Sequence, residues 1–167
     1  MKTKRPATAR RLTHIDQRGN AHMVNVGSKE TTNRIAVASG DISMSSSTLR
    51  IILSGQSKKG DVIAVARIAA IQAAKKTSEL IPLAHPIAIT RASVEIKPSR
   101  KPPKISVTST IETVGQTGVE MEALTATSIG LLTIYDMCKS IERTMSISDI
   151  KLVRKSGGKS GDFQLAP

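Results

Sequence analysis

The order of apolar and polar residues along the chain predicts four strands and two long helices. The strands are predicted at 34–44, 87–97, 105–113 and 146–154. The helices are predicted over 62–81 and 119–141, because apolar residues recur there every three or four positions. The chain order is therefore strand, helix, strand, strand, helix, strand.

Polar residues and prolines mark where these elements begin and end. The serines at 45–47 are suited to cap a short helix that ends near Leu53, and Asp61 is suited to cap the first long helix. The prolines in the segment Pro82 to Pro86 end that helix. The basic, proline-rich segment 97–104 is predicted as a hairpin loop.

This order of elements is the split βαβ, or ferredoxin-like, arrangement of an α+β domain. We expect an antiparallel sheet with helices packed on one face. A chain of 167 residues is long enough for one domain with a real core and too short for two. We expect a single domain over 12–163, a disordered basic tail over 1–11 and a flexible C-terminus over 164–167.

The formal net charge of +12 favours anionic partners such as nucleotides, phosphates or nucleic acid. A nucleic-acid-binding module is the rival interpretation, but one Phe, one Tyr and no Trp leave no stacking platform for single strands. Cys138 is the only cysteine, so no intrachain disulfide is possible. The sequence contains neither a membrane-length apolar run nor a secretory signal, so we expect a cytoplasmic protein without membrane or nucleic-acid partners.

Two charged segments are candidates for proton transfer. Asp136 and Lys139 are three residues apart on the second long helix and share a face, as an acid/base pair or as an ordinary surface ion pair. Lys59 precedes the Asp61 cap, where the helix N-terminus favours anions. The alternative for Lys59 is a solvated loop.

Three further segments contain candidate functional residues. His85 lies in a proline-flanked loop, and histidine is the side chain best suited to proton transfer near neutral pH. Glu120 and Glu122 open the second long helix, where a carboxylate suits the N–H donors of a guanine-type edge. The alternatives are a structural histidine and acids that complement the helix dipole. The glycine-rich segment 155–161 is not a Walker A loop but has amides and lysines for a phosphate, unless it is a flexible tail.

The spacing of the acids on the second long helix bears on assembly. Glu122 and Asp136 are 14 residues apart, nearly four whole turns, so both project from one face. At the α-helical rise they are separated by about 21 Å along the axis. If both serve one small substrate, a second subunit must complete the site.

Taken together, these segments resemble the cyclic pyranopterin monophosphate synthase family, also called MoaC, from Leu12 to about Phe163. The matching segments are LTHID at 12–16, HMVNV at 22–26, KGDV at 59–62, ARIAAIQAAKKT at 66–77, LIPLAHPI at 80–87, TGVEMEALTA at 117–126, LTIYDMCK at 132–139 and KSGGKSGDF at 155–163. The resemblance implies that the domain is catalytic and needs no metal or other cofactor.

The resemblance also implies roles for individual residues. The implied catalytic residues are Asp136, Lys139 and Lys59. The implied substrate-binding residues are Leu83, Ala84, His85, Glu120, Met121, Glu122, Arg34 and Lys155.

The implied assembly is a homohexamer, a trimer of dimers, with active sites between subunits. The implied reaction converts 3′,8-cyclo-7,8-dihydroguanosine 5′-triphosphate, made by a separate radical SAM GTP cyclase, to cyclic pyranopterin monophosphate and pyrophosphate. The chain departs from the family twice: Ala84 stands where the family usually has Cys, and Asn25 where it usually has Asp. These departures leave an inactive scaffold of the same fold as a further alternative.

Overall fold

The computed structural model describes residues 14–16, 18–55, 59–159 and 161–166, so the predicted basic tail over 1–11 lies outside the described residues. The described residues form five strands and four helices. In chain order the elements are β1 (Thr32–Ser43), α1 (Ser46–Leu53), α2 (Val62–Lys75), α3 (Thr77–Leu80), β2 (Ile89–Arg100), β3 (Pro103–Gly115), α4 (Glu120–Cys138), β4 (Ser146–Ser156) and β5 (Phe163–Gln164).

The five strands form one antiparallel sheet in the order β2-β3-β1-β4-β5. The central strand is β1, in which Ile35 pairs with Glu112 of β3 on one side and with Ser156 of β4 on the other. The prediction of an α+β domain with an antiparallel sheet is thus confirmed. Each of the four predicted strands is present, within a few residues of its predicted bounds.

The core lies between one face of this sheet and the helices α2 and α4. Alternate residues of β1 are fully buried there, including Ala36, Ala38 and Ile42, as period-two patterning requires. Gly130 of α4 permits the close packing, since an added Cβ would lie 3.3 Å from side-chain atoms of Ala70 and of Val107. No helix among the described residues is long and apolar enough to cross a membrane.

The helix caps agree with the sequence-based predictions. The Ser45 hydroxyl accepts a hydrogen bond from the Thr48 amide at 3.2 Å and begins α1. The Asp61 carboxylate accepts one from the Ala64 amide at 2.9 Å and begins α2. These bonds satisfy amide groups that a helix start otherwise leaves without partners.

The predicted helix over 62–81 is interrupted, which the apolar pattern did not show. Lys76, with φ −105° and ψ 10°, separates α2 from α3. Next to it the Thr77 hydroxyl donates to the carbonyls of Ala73 and Ala74, at 3.2 and 3.0 Å. Such side-chain bonds compete with the backbone ladder at a helix end.

The end of the chain contains a strand that the sequence analysis did not predict. Gly157 and Gly158 have φ values of 92° and 76°, in a region that favours glycine, and they turn the chain out of β4. The chain then returns as β5, in which Phe163 pairs with Lys155. Residues 155–159 of the glycine-rich segment therefore form the end of β4 and a turn beside the sheet rather than a free tail.

Candidate active site

The topology gathers several candidate residues at one edge of the sheet. Because β1 is antiparallel to β3 and β4, the beginning of β1 lies beside the ends of both neighbours. Arg34 lies at the beginning of β1, two residues before Ala36, which pairs with Lys155 of β4. The first residues of α4, beginning at Glu120, lie at the same edge because the connection from β3 is only four residues long.

Arg34 is held by backbone carbonyls at the end of β3. Its Nε donates to the Gly115 carbonyl at 2.9 Å, and its Nη2 donates to the Gln116 carbonyl at 3.2 Å. Its Nη1 lies beside Gly158, in the space that an added Cβ would occupy. The guanidinium is thus fixed in orientation, which suits recognition of an oxyanion.

Lys155 and Glu120 form an ion pair at this edge. The Lys155 Nζ donates to the Glu120 Oε1 at 3.1 Å, and both side chains are about three-quarters buried. Together with Arg34 and Gly157 they line a cavity of about 370 Å³. A bound anion would either displace the Glu120 carboxylate from Lys155 or bind the same ammonium group beside it.

The loop over 83–85 forms the wall of a neighbouring cavity of about 250 Å³. The His85 Nε2 lies 2.8 Å from the Val24 carbonyl, so that nitrogen carries the proton and donates. The bond fixes the imidazole ring and leaves Nδ1 as the atom able to accept a hydrogen bond. Leu83 and Ala84 line the same cavity, so the three residues predicted to bind substrate together are adjacent in space.

Glu122 lines that cavity as well and is the most unusual side chain of the site. Only 3% of the residue is exposed, and its Oε2 has no hydrogen-bond partner among the described residues. Burial raises the pKa of Glu122 to about 7, opposed by a bond to its own backbone amide and supported by the charge of Glu120. The Oε2 atom is therefore the one that a ligand with N–H groups would supply with a donor.

The same cleft is lined by Lys29, Val24 and Val26, for which the sequence predicts no role in a site. Met121, a predicted substrate-binding residue, is 40% exposed and also lines the cleft. The sequence pattern does not indicate a role for Lys29, because this residue lies in a loop without hydrophobic periodicity. Its position depends on contacts between segments that are distant in sequence.

The predicted catalytic residues lie at the other end of α4. Lys139 Nζ is 2.7 Å from Asp136 Oδ1, and Lys59 Nζ is 3.5 Å from Asp136 Oδ2. Lys59 also donates to the Asp136 backbone carbonyl at 2.9 Å. All three side chains are about half exposed, so a substrate can reach them.

Lys139 and Lys59 change the pKa of the Asp136 carboxyl group, which lies between them. The hydrogen bond and charge of Lys139, followed by the charge of Lys59, lower the pKa of Asp136 below its ordinary value. The same hydrogen bond raises the pKa of Lys139 above its ordinary value. Near neutral pH the ion pair therefore holds Asp136 as a carboxylate and Lys139 as an ammonium, because each charge stabilises the other.

The structure does not bring the two groups of candidates together within one chain. Glu122 and Asp136 both belong to the continuous helix α4, 14 residues apart. At the helical rise this is about 21 Å. The cleft and the lysine–aspartate cluster are therefore two separate groups of candidate residues in one chain.

The two departures from the family pattern are compatible with the local structure. Asn25 Oδ1 accepts a hydrogen bond from the Gly27 amide at 2.9 Å, as an aspartate oxygen would. Ala84 is held by its backbone, whose amide donates to the Ile81 carbonyl at 3.0 Å. Neither contact depends on the charge or the thiol that the usual residue would carry.

Comparison with known protein families shows the family of this chain. The sequence model of the MoaC family matches residues 23–158 of the 167. That range contains both groups of candidate residues, from the 83–85 loop and the start of α4 to the Lys59, Asp136 and Lys139 cluster. The chain therefore belongs to the MoaC family, whose function lies in the biosynthesis of the molybdenum cofactor.

Proposed function

We propose that this chain is a cyclic pyranopterin monophosphate synthase, a phosphorus–oxygen lyase. It would convert 3′,8-cyclo-7,8-dihydroguanosine 5′-triphosphate to cyclic pyranopterin monophosphate and release pyrophosphate. The observation that carries the proposal is a pair of adjoining cavities. One is lined by the buried carboxylate of Glu122, and the other is lined by the cations Arg34 and Lys155. A guanine-derived ring needs hydrogen-bond acceptors for its N–H groups, and a triphosphate needs cations.

The cavity beside the 83–85 loop is the proposed binding place of the ring. Glu122 Oε2, buried and without a partner among the described residues, would accept from the N–H edge of the base. The His85 ring, held at Val24, would orient the ring from the opposite wall. When the ring N–H groups leave water for the cavity, a hydrogen bond to Glu122 Oε2 replaces one that they made with water.

The adjoining cavity is the proposed place of the triphosphate. Arg34 is fixed by two carbonyl contacts, so its guanidinium would meet a phosphate without rearrangement. Lys155 lies in the same cavity, and Lys159 lines the next. These cations would offset the negative charge that collects on the leaving pyrophosphate.

Asp136, Lys139 and Lys59 are the proposed acid/base groups. In the closing step a sugar hydroxyl gives its proton to the Asp136 carboxylate, and its oxygen forms a bond to the α-phosphorus. The bond between the α-phosphorus and the bridging oxygen breaks, and pyrophosphate leaves with the electron pair. Lys139 and Lys59 would donate protons and hold charge during rearrangement of the base.

A second subunit must supply this cluster, because about 21 Å of helix separates it from the cleft of its own chain. We propose active sites between subunits of a homohexamer, a trimer of dimers, whose subunit core is ferredoxin-like. The argument from distance requires one neighbour at each site, and the family resemblance supports the number six. A chain that is monomeric by light scattering and yet fully active would refute this part of the proposal.

Turnover of the purified cyclised nucleotide tests the function. The expected result is equal release of pyrophosphate and of a pterin that becomes fluorescent on oxidation. Asp136→Asn should lower the formation of both products by about a hundredfold or more, and Lys75→Gln, at an exposed position of α2, is the matched control that should not. A correctly assembled wild-type protein that forms neither product would contradict the proposal.

A further inference from the structure

The loop that follows α4 connects the lysine–aspartate cluster to the rest of the fold. Asp136 lies in the last turn of α4, and Lys139 is the residue at which that helix ends. The chain then passes through residues 140–145 to β4, which begins at Ser146. Because helix ends fray, the positions of Asp136 and Lys139 depend on what holds this loop.

Glu142 is attached to α4 through its backbone and to the start of α1 through its side chain. Its amide donates to the Cys138 carbonyl at 3.0 Å. Its carboxylate accepts from the Ser45 hydroxyl at 2.7 Å and from the Ser45 amide at 3.0 Å. The Thr144 hydroxyl also donates to this carboxylate, at 3.2 Å. One side chain therefore joins the end of α4 to the residue that caps α1.

Ser45 belongs to the frame of the sheet. It follows the central strand β1 directly after Met44, whose amide donates to the Pro103 carbonyl at 3.2 Å. Met44 is buried in the core, and so is Met145 at the end of the loop. Glu142 therefore fastens the loop to the core sheet.

A second contact holds the loop beside Glu142. The hydroxyl of Tyr135, the only tyrosine of the chain, donates to the Arg143 carbonyl at 3.1 Å. Tyr135 directly precedes Asp136 in α4. Two neighbouring residues of the loop are thus fixed, one by the helix itself and one by the start of α1.

The partners of the Glu142 carboxylate indicate an anchor rather than a group that transfers protons. Hydrogen bonding from Thr48 lowers the pKa of Glu142 below its ordinary value, opposed by burial and supported by bonds from Ser45 and Thr144. The side chain is therefore ionised near neutral pH. Hydrogen bonds to an ionised acceptor are stronger than those to a neutral one.

We propose that Glu142 is a positioning residue for the lysine–aspartate cluster, because it fastens the loop after α4 to Ser45. This inference rests on the proposed function. Lys139 Nζ lies 2.7 Å from Asp136 Oδ1 although both side chains are about half exposed, so little packing holds their geometry directly. A displacement of about 1 Å in such groups can cost about a hundredfold in rate.

Steady-state kinetics with the full-length protein and the purified cyclised nucleotide tests this role. Glu142→Ala should lower kcat by about ten- to a hundredfold. KM should stay within about twofold of wild type, because the cleft lies about 21 Å away along α4. Glu142→Gln keeps an acceptor of the same length without the charge, so kcat should fall only about three- to tenfold. Glu79→Ala, which removes an exposed carboxylate of α3, is the matched control and should change neither constant.

Hydrogen exchange measured by mass spectrometry gives a readout that does not depend on turnover. The amides of Lys139, Ile141 and Glu142 donate to carbonyls in the last turn of α4. These amides should exchange faster in Glu142→Ala than in wild type, while the first half of α4 remains equally protected. Unchanged exchange at the three amides would overturn the proposal.

The kinetic outcomes separate this role from a general loss of structure. Normal kcat in both Glu142 variants would overturn the proposal, and so would a rise in KM as large as the fall in kcat. If Glu142→Ala does not assemble, Glu142→Gln decides by the same criteria. A wild-type protein without turnover would remove the proposed function and this inference with it, whereas normal wild-type turnover with unaffected variants would remove only the role of Glu142.

Discussion

Replacement of Glu122 by Gln should make the protein more stable at alkaline pH. The carboxyl group is 3% exposed, and burial raises its pKa from 4.5 to about 7. Two and a half units at 1.36 kcal/mol per unit amount to about 3 kcal/mol of unfolding free energy. In the proposed function this cost has a reason, because the ionised carboxylate would accept the hydrogen bonds of the ring.

The sign follows from proton binding. Between pH 4.5 and about 7 the folded chain holds the Glu122 proton more tightly than the unfolded chain does. Stability therefore falls as pH rises through that window, and the fall is complete above it. Gln does not titrate, so the stability of Glu122→Gln relative to wild type should grow by about 2–3 kcal/mol between about pH 5 and about pH 8.

Urea unfolding at a series of pH values measures the effect. Protein concentration must be equal throughout, because assembly contributes to apparent stability. Glu79→Gln, which changes an exposed glutamate of α3, is the control and should show no such growth. A difference between Glu122→Gln and wild type that is constant across the pH range would refute the reasoning.

Three further substitutions test other parts of the account. Asp136→Asn should lower kcat by about a hundredfold or more. The melting temperature should not change, because the side chain is exposed. Loss of folding in this variant would contradict a catalytic role for Asp136. Gly158→Ala should raise KM, since its Cβ would clash with the Arg34 guanidinium, and a normal KM would exclude Arg34 from binding. Leu131→Ala, in the fully buried core, should cost about 2–5 kcal/mol in urea unfolding; a cost near zero would contradict the packing.

Much of the fold was predictable because its elements are long and regularly patterned. The burial of alternate residues around Ala36 and Ala38 follows from the local pattern, and the structure shows it. The structure also shows the predicted caps at Ser45 and Asp61, which depend only on neighbouring residues. The two-residue strand β5 was not predictable, since two residues carry no period. The break at Lys76 depends on one threonine hydroxyl rather than on hydrophobic pattern.

The candidate site was predictable only in part. The residues themselves were assigned from their types and from the family resemblance, and the length of the second helix already separated Glu122 from Asp136. Lys29 was missed because its place depends on a contact between Gly27 and Gln116, which are 89 residues apart. Glu122 Oε2 has no hydrogen-bond partner within the described part of the chain, and this results from packing that no local pattern shows.

The central claim is that each active site joins the cleft of one chain to the lysine–aspartate cluster of another. Co-refolding of Asp136→Asn chains with Lys155→Ala chains, each inactive alone, tests it by turnover of the cyclised nucleotide. In a two-chain site, random mixing of equal amounts restores about one quarter of the sites, because some pair an intact cluster with an intact cleft. Recovery near that fraction is predicted, and mixed assemblies as inactive as their parents would contradict the account.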